Sequence, residues 1–427
     1  MNNLKITKGD SKESRHSKRK AANKIKRKNK HYQSEVSKYQ HVKRGKFHST
    51  KRKTVRFSRS IEDFCNANMS LSQKSNKLVV KLNKDFSLFD NPSKVLLSLI
   101  DLLKHAKTLS VNSKWVFDGH VSFGALYLLD NLSWEIGKKR KWVIEKRNFP
   151  PEEASILSNL KSMVSSTYID ENEHMINERV VINREDPLAK QQYKAIAKTI
   201  TDMIEEAIRE NCNDVNYDLP LEIHGAIKST IGESFDNIHL HSEITEVGTL
   251  CGFYNKISQE VTLLIYNFGR TIAETFSMED VPNDVKNDIA QVIANHTANK
   301  YLNIFTGAGD FTKENALTLL AIQEGISSKM KVDFSRGHGI IDFVEHCFQL
   351  SDKCKIAIIS GKTAIKIDNR YPMSSQYFLG RERRIMAFND DNDLFKKPDS
   401  KHIINTGVHF NGVIIEATIP LNLINHD

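Results

Sequence analysis

The sequence predicts an α/β protein with a basic N-terminal arm, and three observations lead there. Between Lys77 and about Ser165, short β-branched or aromatic runs alternate with longer runs of helical apolar spacing. Further on, the apolar strand Leu263-Leu-Ile-Tyr266 stops at Asn267-Phe-Gly269, and the paired-glycine turn Arg336-Gly337-His-Gly339 runs into an amphipathic stretch from Ile340. Charge is divided unevenly. Residues 1–56 hold 20 Lys or Arg against 3 Asp or Glu, and the remaining 371 residues hold 42 against 49, so the net +10 conceals an acidic body with a cationic arm.

Residues 1–60 are the arm. Lys18-Arg-Lys20, Lys26-Arg-Lys28, Lys43-Arg44 and Lys51-Arg-Lys53 repel one another with almost nothing apolar and periodic between them, so the segment is expected to be disordered or to form a helix only on binding. Tyr32, Tyr39, His31 and His41 stand among the charges, a mixture that suits phosphate contact with occasional base stacking. Residues 1–56 are therefore read as a surface for nucleic acid, DNA or RNA, with a solubilising tail as the plainer alternative.

Residues 61–165 read as a small α/β domain. Leu78–Leu82, Lys114–Asp118 and Lys141–Ile144 have strand character; Pro92 to about His105, Phe123 to about Ile136 and Pro151 to Met163 have helical spacing. Residues 166–180 are polar and charged and read as a linker that merges, by Asp186-Pro187, into the domain over 181–427. That domain opens with a helix from Lys190 to Glu210 and a second from Leu221 to Ser242. The second helix places Glu233 and Asn237 four residues apart, hence on one face, with His241 one turn further along that face. After the Asn267 strand comes a long segment, Ile272 to Arg336, with Gly307-Ala-Gly309 and Ser327-Ser-Lys329-Met-Lys331 as its pliant and cationic points and a helix over Glu314–Glu324. Gly337 and Gly339 let backbone N–H groups approach phosphate at the start of the next helix. Ile356–Gly361 and Gly412–Leu421 have strand character, and the charged stretch 362–405 between them reads as an inserted hairpin or loop offering a partner surface.

Composition narrows the classes. No run approaches the roughly 18 apolar residues of a membrane span, and the charged N-terminus has no apolar core of a secretory signal. Five cysteines without framework spacing fit a reducing interior, so a cytoplasmic protein is expected.

Four elements in this order, the Glu233–His241 helix, the Asn267-Phe-Gly269 strand end, the Arg336–Gly339 turn and the closing Gly412–Leu421 strand, resemble the GHKL ATP-binding fold over residues 176–427. This is the superfamily of DNA gyrase, a heat-shock chaperone, histidine kinases and MutL, and the helix pair before the first element is most similar to the small anti-sigma-factor kinases. The resemblance implies a sandwich of a mixed sheet with helices on one face, binding ATP with Mg²⁺. It implies that Asn237 ligates the metal, that Glu233 acts as general base, and that Asn267 replaces the usual aspartate in accepting a hydrogen bond from adenine, with Gly269 following. The second glycine usual after that position is absent. Lys329 and Lys331 correspond to a lid over the phosphates, Arg336, Gly337 and Gly339 to a phosphate-binding turn, and His241 to a residue within reach of phosphate. The strand-Asp118-Gly119-His-Val-Ser122 turn is weakly similar to the STAS domain, a module that binds protein partners, where a serine near Ser122 is a phosphoacceptor; an ordinary helix-starting serine is the plainer alternative. The expected function is an ATP-hydrolysing switch linked to nucleic acid. The alternatives are a protein serine kinase acting on a STAS-like partner or on itself, and a nucleotide sensor without turnover. A homodimer stays open.

Overall fold

The computed structural model describes residues 59–68, 79–82, 86–108, 114–117, 122–140, 145–147, 168–170, 173–181, 189–212, 247–255, 258–276, 283–297, 311–326 and 338–421, with four isolated positions between 221 and 228. All of them belong to one compact unit, residues 54–427. They form helices α1 (Arg59–Ala67), α2 (Pro92–Thr108), α3 (Phe123–Arg140), α4 (Ala189–Cys212), α5 (Ile272–Thr275), α6 (Asn283–Thr297), α7 (Lys313–Ala321) and α8 (Gly339–Leu350). The strands are β1 (Val79–Leu82), β2 (Lys114–Phe117), β3 (Glu145–Arg147), β4 (Tyr168–Asp170), β5 (Glu173–Val181), β6 (Val247–Asn255), β7 (Glu260–Phe268), β8 (Lys355–Ile367), β9 (Ser374–Phe378), β10 (Arg381–Ile385) and β11 (Ile403–Pro420).

The central sheet has the order β4-β5-β6-β7-β11-β8, and every pairing in it is antiparallel. The expected mixed sheet is thus corrected to an antiparallel one; the described helices from residue 181 onward lie on one face, and the other face is covered by helices that precede them. The physical reason lies in β7, where residues 261–267 are all buried. A strand apolar on both sides must be covered on both sides. On one side Val261, Leu263 and Ile265 pack with Ile200, Met203 and Ile204 of α4, Ile289 and Val292 of α6, Leu319 and Leu320 of α7 and Phe343 and Val344 of α8. On the other, Leu264 and Tyr266 pack with Phe64 of α1, Leu96, Leu99, Ile100 and Leu103 of α2, and Phe123, Leu126 and Leu129 of α3.

The second covering layer comes from the segment that reads as a separate small domain. Its alternation of strands and helices is present: β1, β2 and β3 form a parallel three-stranded sheet, with β3 falling just beyond Lys141–Ile144. The helix expected over 151–163 lies outside the described residues. Yet α1, α2 and α3 share a core with β6, β7, β8 and β11. Phe123 stacks on Phe253 with centroids 4.7 Å apart, Phe64 meets Phe410 edge-on at 5.4 Å, and Asn131 donates to the Tyr266 hydroxyl at 2.7 Å. Burial of each large apolar side chain there is worth about 1.5–3 kcal/mol. The stretch 166–180 is likewise not a bare linker, because it contributes β4 and most of β5, and β5 pairs along its whole length with β6.

Within the inserted stretch 362–405, β8 runs on to Ile367, and β9 and β10 form the expected charged hairpin through a tight turn with positive φ at Leu379 and Gly380. Among the described residues no helix is long and apolar enough to cross a membrane.

Candidate functional site

The last turn of β7 is where polar groups enter the core. Asn267 pairs with Val413 of β11, and Val413 pairs on its other edge with Ser360 of β8, so the three positions lie in one row across the sheet. Alternation along β7 puts Asn267 on the face of Val261, Leu263 and Ile265, under α4 to α8. It is 7% exposed, and among the described residues its carboxamide makes no hydrogen bond. Neither of its amide atoms is sealed from solvent, so the end of the strand keeps a donor and an acceptor open to solvent or to a ligand.

Two glycines make this row possible. Gly412 has φ +139°, and a Cβ there would stand 1.9 Å from the Asn267 carbonyl oxygen. Gly361 has φ +58°, and a Cβ there would stand 1.6 Å from Glu314 Oε1. The Ser360 hydroxyl then bridges elements: it accepts from the Ile272 amide at 2.8 Å and donates to the Gly412 carbonyl at 2.9 Å. Ile272 opens α5, whose cap Thr271 exchanges hydrogen bonds with Glu274 in a capping box. On the far side of the glycine bend, Glu314 Oε1 accepts from the Lys362 amide at 2.8 Å, and Asn315 of α7 donates to Thr363 Oγ1 at 3.0 Å. Thr271, Asn315, Ser360 and Thr363 are fully buried or nearly so. Each is paired, so this belt fixes the starts of α5 and α7 around Asn267. Asn411, whose carbonyl accepts from the Gly269 amide at 3.1 Å, carries a buried Oδ1 without a partner among the described residues.

Gly339 opens α8 and is buried there. The start of α8 is held by Arg384 of β10, which pairs with Asp342 and Glu345 of α8 and, at 3.0 Å, with Glu324 in the turn after α7. Burial works against both charges, but the hydrogen bonds outweigh it: Arg384 is raised above its usual range and Glu324 is lowered below its own. The neighbouring Arg383 donates to the Phe378 carbonyl at 3.0 Å and the Glu324 carbonyl at 2.8 Å; burial, then the charge of Arg381, brings it down to about 10.

Of the sequence-predicted residues, Asn267 and Gly269 lie together at the end of β7, and Gly339 lies at the start of α8. Glu233, Asn237, His241, Lys329, Lys331, Arg336 and Gly337 lie outside the described residues. Among the described residues no three His, Cys, Asp or Glu side chains are grouped to hold a metal. Ser122 has the role of a cap: its Oγ accepts from the Ala125 amide at 3.3 Å and sits 3.4 Å from Glu416 Oε2, while Glu416 Oε1 accepts from the Gly124 amide at 2.7 Å. Ser360, Thr271, Glu314 and Asn315 are not apparent from sequence. Ser360 stands inside an apolar strand, and only the register shows that it lies one strand beyond the neighbour of Asn267. No protein-family model, curated protein or solved structure matches the chain.

Proposed function

We propose that the chain binds ATP with Mg²⁺ in a site of the GHKL kind and hydrolyses it to drive a change of interaction or conformation. One observation supports this reading above the others: Asn267, buried at the end of a central strand beside Gly269, leaves its carboxamide without a partner among the described residues. An amide oxygen accepts from the exocyclic amine of adenine, and the amide nitrogen donates to a ring nitrogen of the same edge. In this reading the base lies at the Asn267 row and the phosphates lie toward Gly339. Asn237 supplies a neutral oxygen to Mg²⁺, whose charge offsets that of the phosphates. The Glu233 carboxylate accepts a proton from the attacking water. The basic arm, residues 1–56, links the switch to nucleic acid, and a cytoplasmic setting suits both.

Self-phosphorylation at Ser122 is the weaker alternative, since that hydroxyl is engaged as a helix cap and lies against the buried Glu416. Calorimetry with MgATP tests binding: Asn267→Ala and Asn237→Ala should each weaken it roughly 5- to 140-fold, as expected when a paired polar contact of about 1–3 kcal/mol is lost. Wild-type affinity in both variants rejects the site. Incubation with γ-labelled ATP then separates the three activities. Free phosphate that disappears in Glu233→Gln means hydrolysis, label on protein means transfer, and neither means a sensor.

A further inference from the structure

Glu416 of β11 stands where the central sheet meets the layer formed by α1, α2 and α3. Its strand partners, Leu264 of β7 and Ala357 of β8, both belong to the apolar core under that layer, and the residue is 2% exposed. The start of α3 builds the seat for its carboxyl group. The Gly124 amide donates to Oε1 at 2.7 Å, the Ser122 hydroxyl lies 3.4 Å from Oε2, and a Cβ on Gly124 would stand 2.3 Å from Oε1. Asp90, in the turn before α2, and Cys251 of β6 are the acidic groups that act on it or respond to it. Among the described residues no Lys, Arg or His pairs with it. The ties from Asn68 to the His409 backbone and from Asn131 to Tyr266 cross the same boundary without charge. Lys104 donates to the Asn68 carbonyl within the layer, and the His409 imidazole faces Glu314 of α7 at 3.9 Å, on the other side of the sheet.

An acceptor for the Gly124 amide has no need of an ionisable group, since a glutamine oxygen would serve as well. A carboxyl sealed among apolar side chains, with another acid nearby and no cation, keeps its proton, because nothing there stabilises the charge. Neutral, it accepts from Gly124 and can donate to the Ser122 hydroxyl, so both of its oxygens are used. Burial accordingly pushes it up to about 7. Once the layer lifts, water reaches the group and the proton leaves in the ordinary carboxylate range. Protons therefore favour the closed layer, and their loss favours the open one. We propose that Glu416 is a proton-linked latch: neutral, it holds the α1–α3 layer on the central sheet through the start of α3, and its ionisation lets that layer lift while the α4–α8 side stays packed. The latch is independent of the nucleotide reading. It gives the two faces of one sheet different responses to pH.

The cysteines report on the two faces separately. Cys65 and Cys251 are buried in the core under the latched layer, Cys347 and Cys354 in the core on the opposite face. Pulsed alkylation of the full chain, mapped by mass spectrometry and divided at each pH by the rate of the same cysteine in urea-unfolded chain, gives the opening of each face. Cys65 and Cys251 should be labelled faster than Cys347 and Cys354. Their opening should increase roughly 80-fold between pH 5 and pH 8, the gain for a carboxyl at about 7 when closed and about 4.3 when open. In Glu416→Gln the increase should vanish, and in His409→Gln it should persist. Equal labelling of all four cysteines confines the effect to global unfolding and overturns the latch. So does an increase that survives in Glu416→Gln or disappears in His409→Gln. Should Glu416→Gln fail to fold, the wild type still decides, because flat opening at Cys65 and Cys251 across this range overturns the latch by itself.

Discussion

A single hydrogen in place of a methyl group decides the geometry at Gly412. Its φ of +139° is closed to residues with a Cβ, and the added carbon would lie 1.9 Å from a backbone oxygen that has no side-chain freedom to withdraw. Gly412→Ala should therefore lower the unfolding free energy by more than about 3 kcal/mol, read from urea melts, and separate β7 from β11 at the Asn267 row. A melt within 1 kcal/mol or so of wild type, small on the usual scale for such sites, would show that the strands can part there without loss. The sequence marks Asn267 as a polar stop and Gly412 as the start of a strand, whereas Gly412 lies within β11, at an irregularity of its pairing with β8. The sequence does not show that each needs the other, because the contact joins residues far apart in the chain through backbone atoms that carry no identity.

Elements were legible where their period was strong. The apolar spacing of Pro92 onward, with proline at the first helical position, gave α2 nearly as found, and Lys190–Glu210 lies within α4. The destination of the helices was hidden. Nothing local in α3 says that its first turn docks on β11, and the signal that could have said so, Glu416 among apolar residues, reads as an irregularity until Gly124 is seen donating to it. That carboxylate is pushed up to about 7 by burial, against the pull of the Gly124 and Ser122 hydrogen bonds, with nearby Asp90 raising it further. Buried Cys251 also interacts with it. A carboxyl whose folded pKa lies above its unfolded value stabilises the fold at low pH, and the contribution is lost as pH rises through the folded value. Glu416→Gln keeps an oxygen for Gly124 without the charge. Between pH 5 and pH 8 the wild type should lose on the order of 3 kcal/mol relative to this variant in urea melts. Parallel pH profiles would place the ionisation elsewhere.

At the scale of the whole molecule, charge and sheet coverage give separate expectations. If the 20 basic residues of the first 56 hold nucleic acid through phosphates, even about 6 contacts give a log–log salt slope of roughly −4 to −5. Filter binding should show that slope with little preference for sequence, and removal of residues 1–56 should abolish binding. Retained affinity in the shortened chain would move the surface into the body.

The sheet covered by helices from both ends of the chain also imposes a timetable on its synthesis. Asn68 bonds to the backbone of His409, 341 positions later, and at about 5–20 residues per second the helices α1 to α3 wait roughly 20 to 70 seconds for the last strand they cover. Until then Phe64, Leu96, Leu99 and Leu103 have at most part of their sheet to rest on, β6 and β7 without β8 and β11, which makes the nascent chain a client for whatever shields apolar helices near the ribosome. The converse holds for a fragment begun at residue 181. It would present Leu264, Tyr266, Ile359 and Ile414 to water along one side of its sheet, and should collect in the pellet when expressed alone, yet become soluble when residues 54–180 are supplied on a second chain.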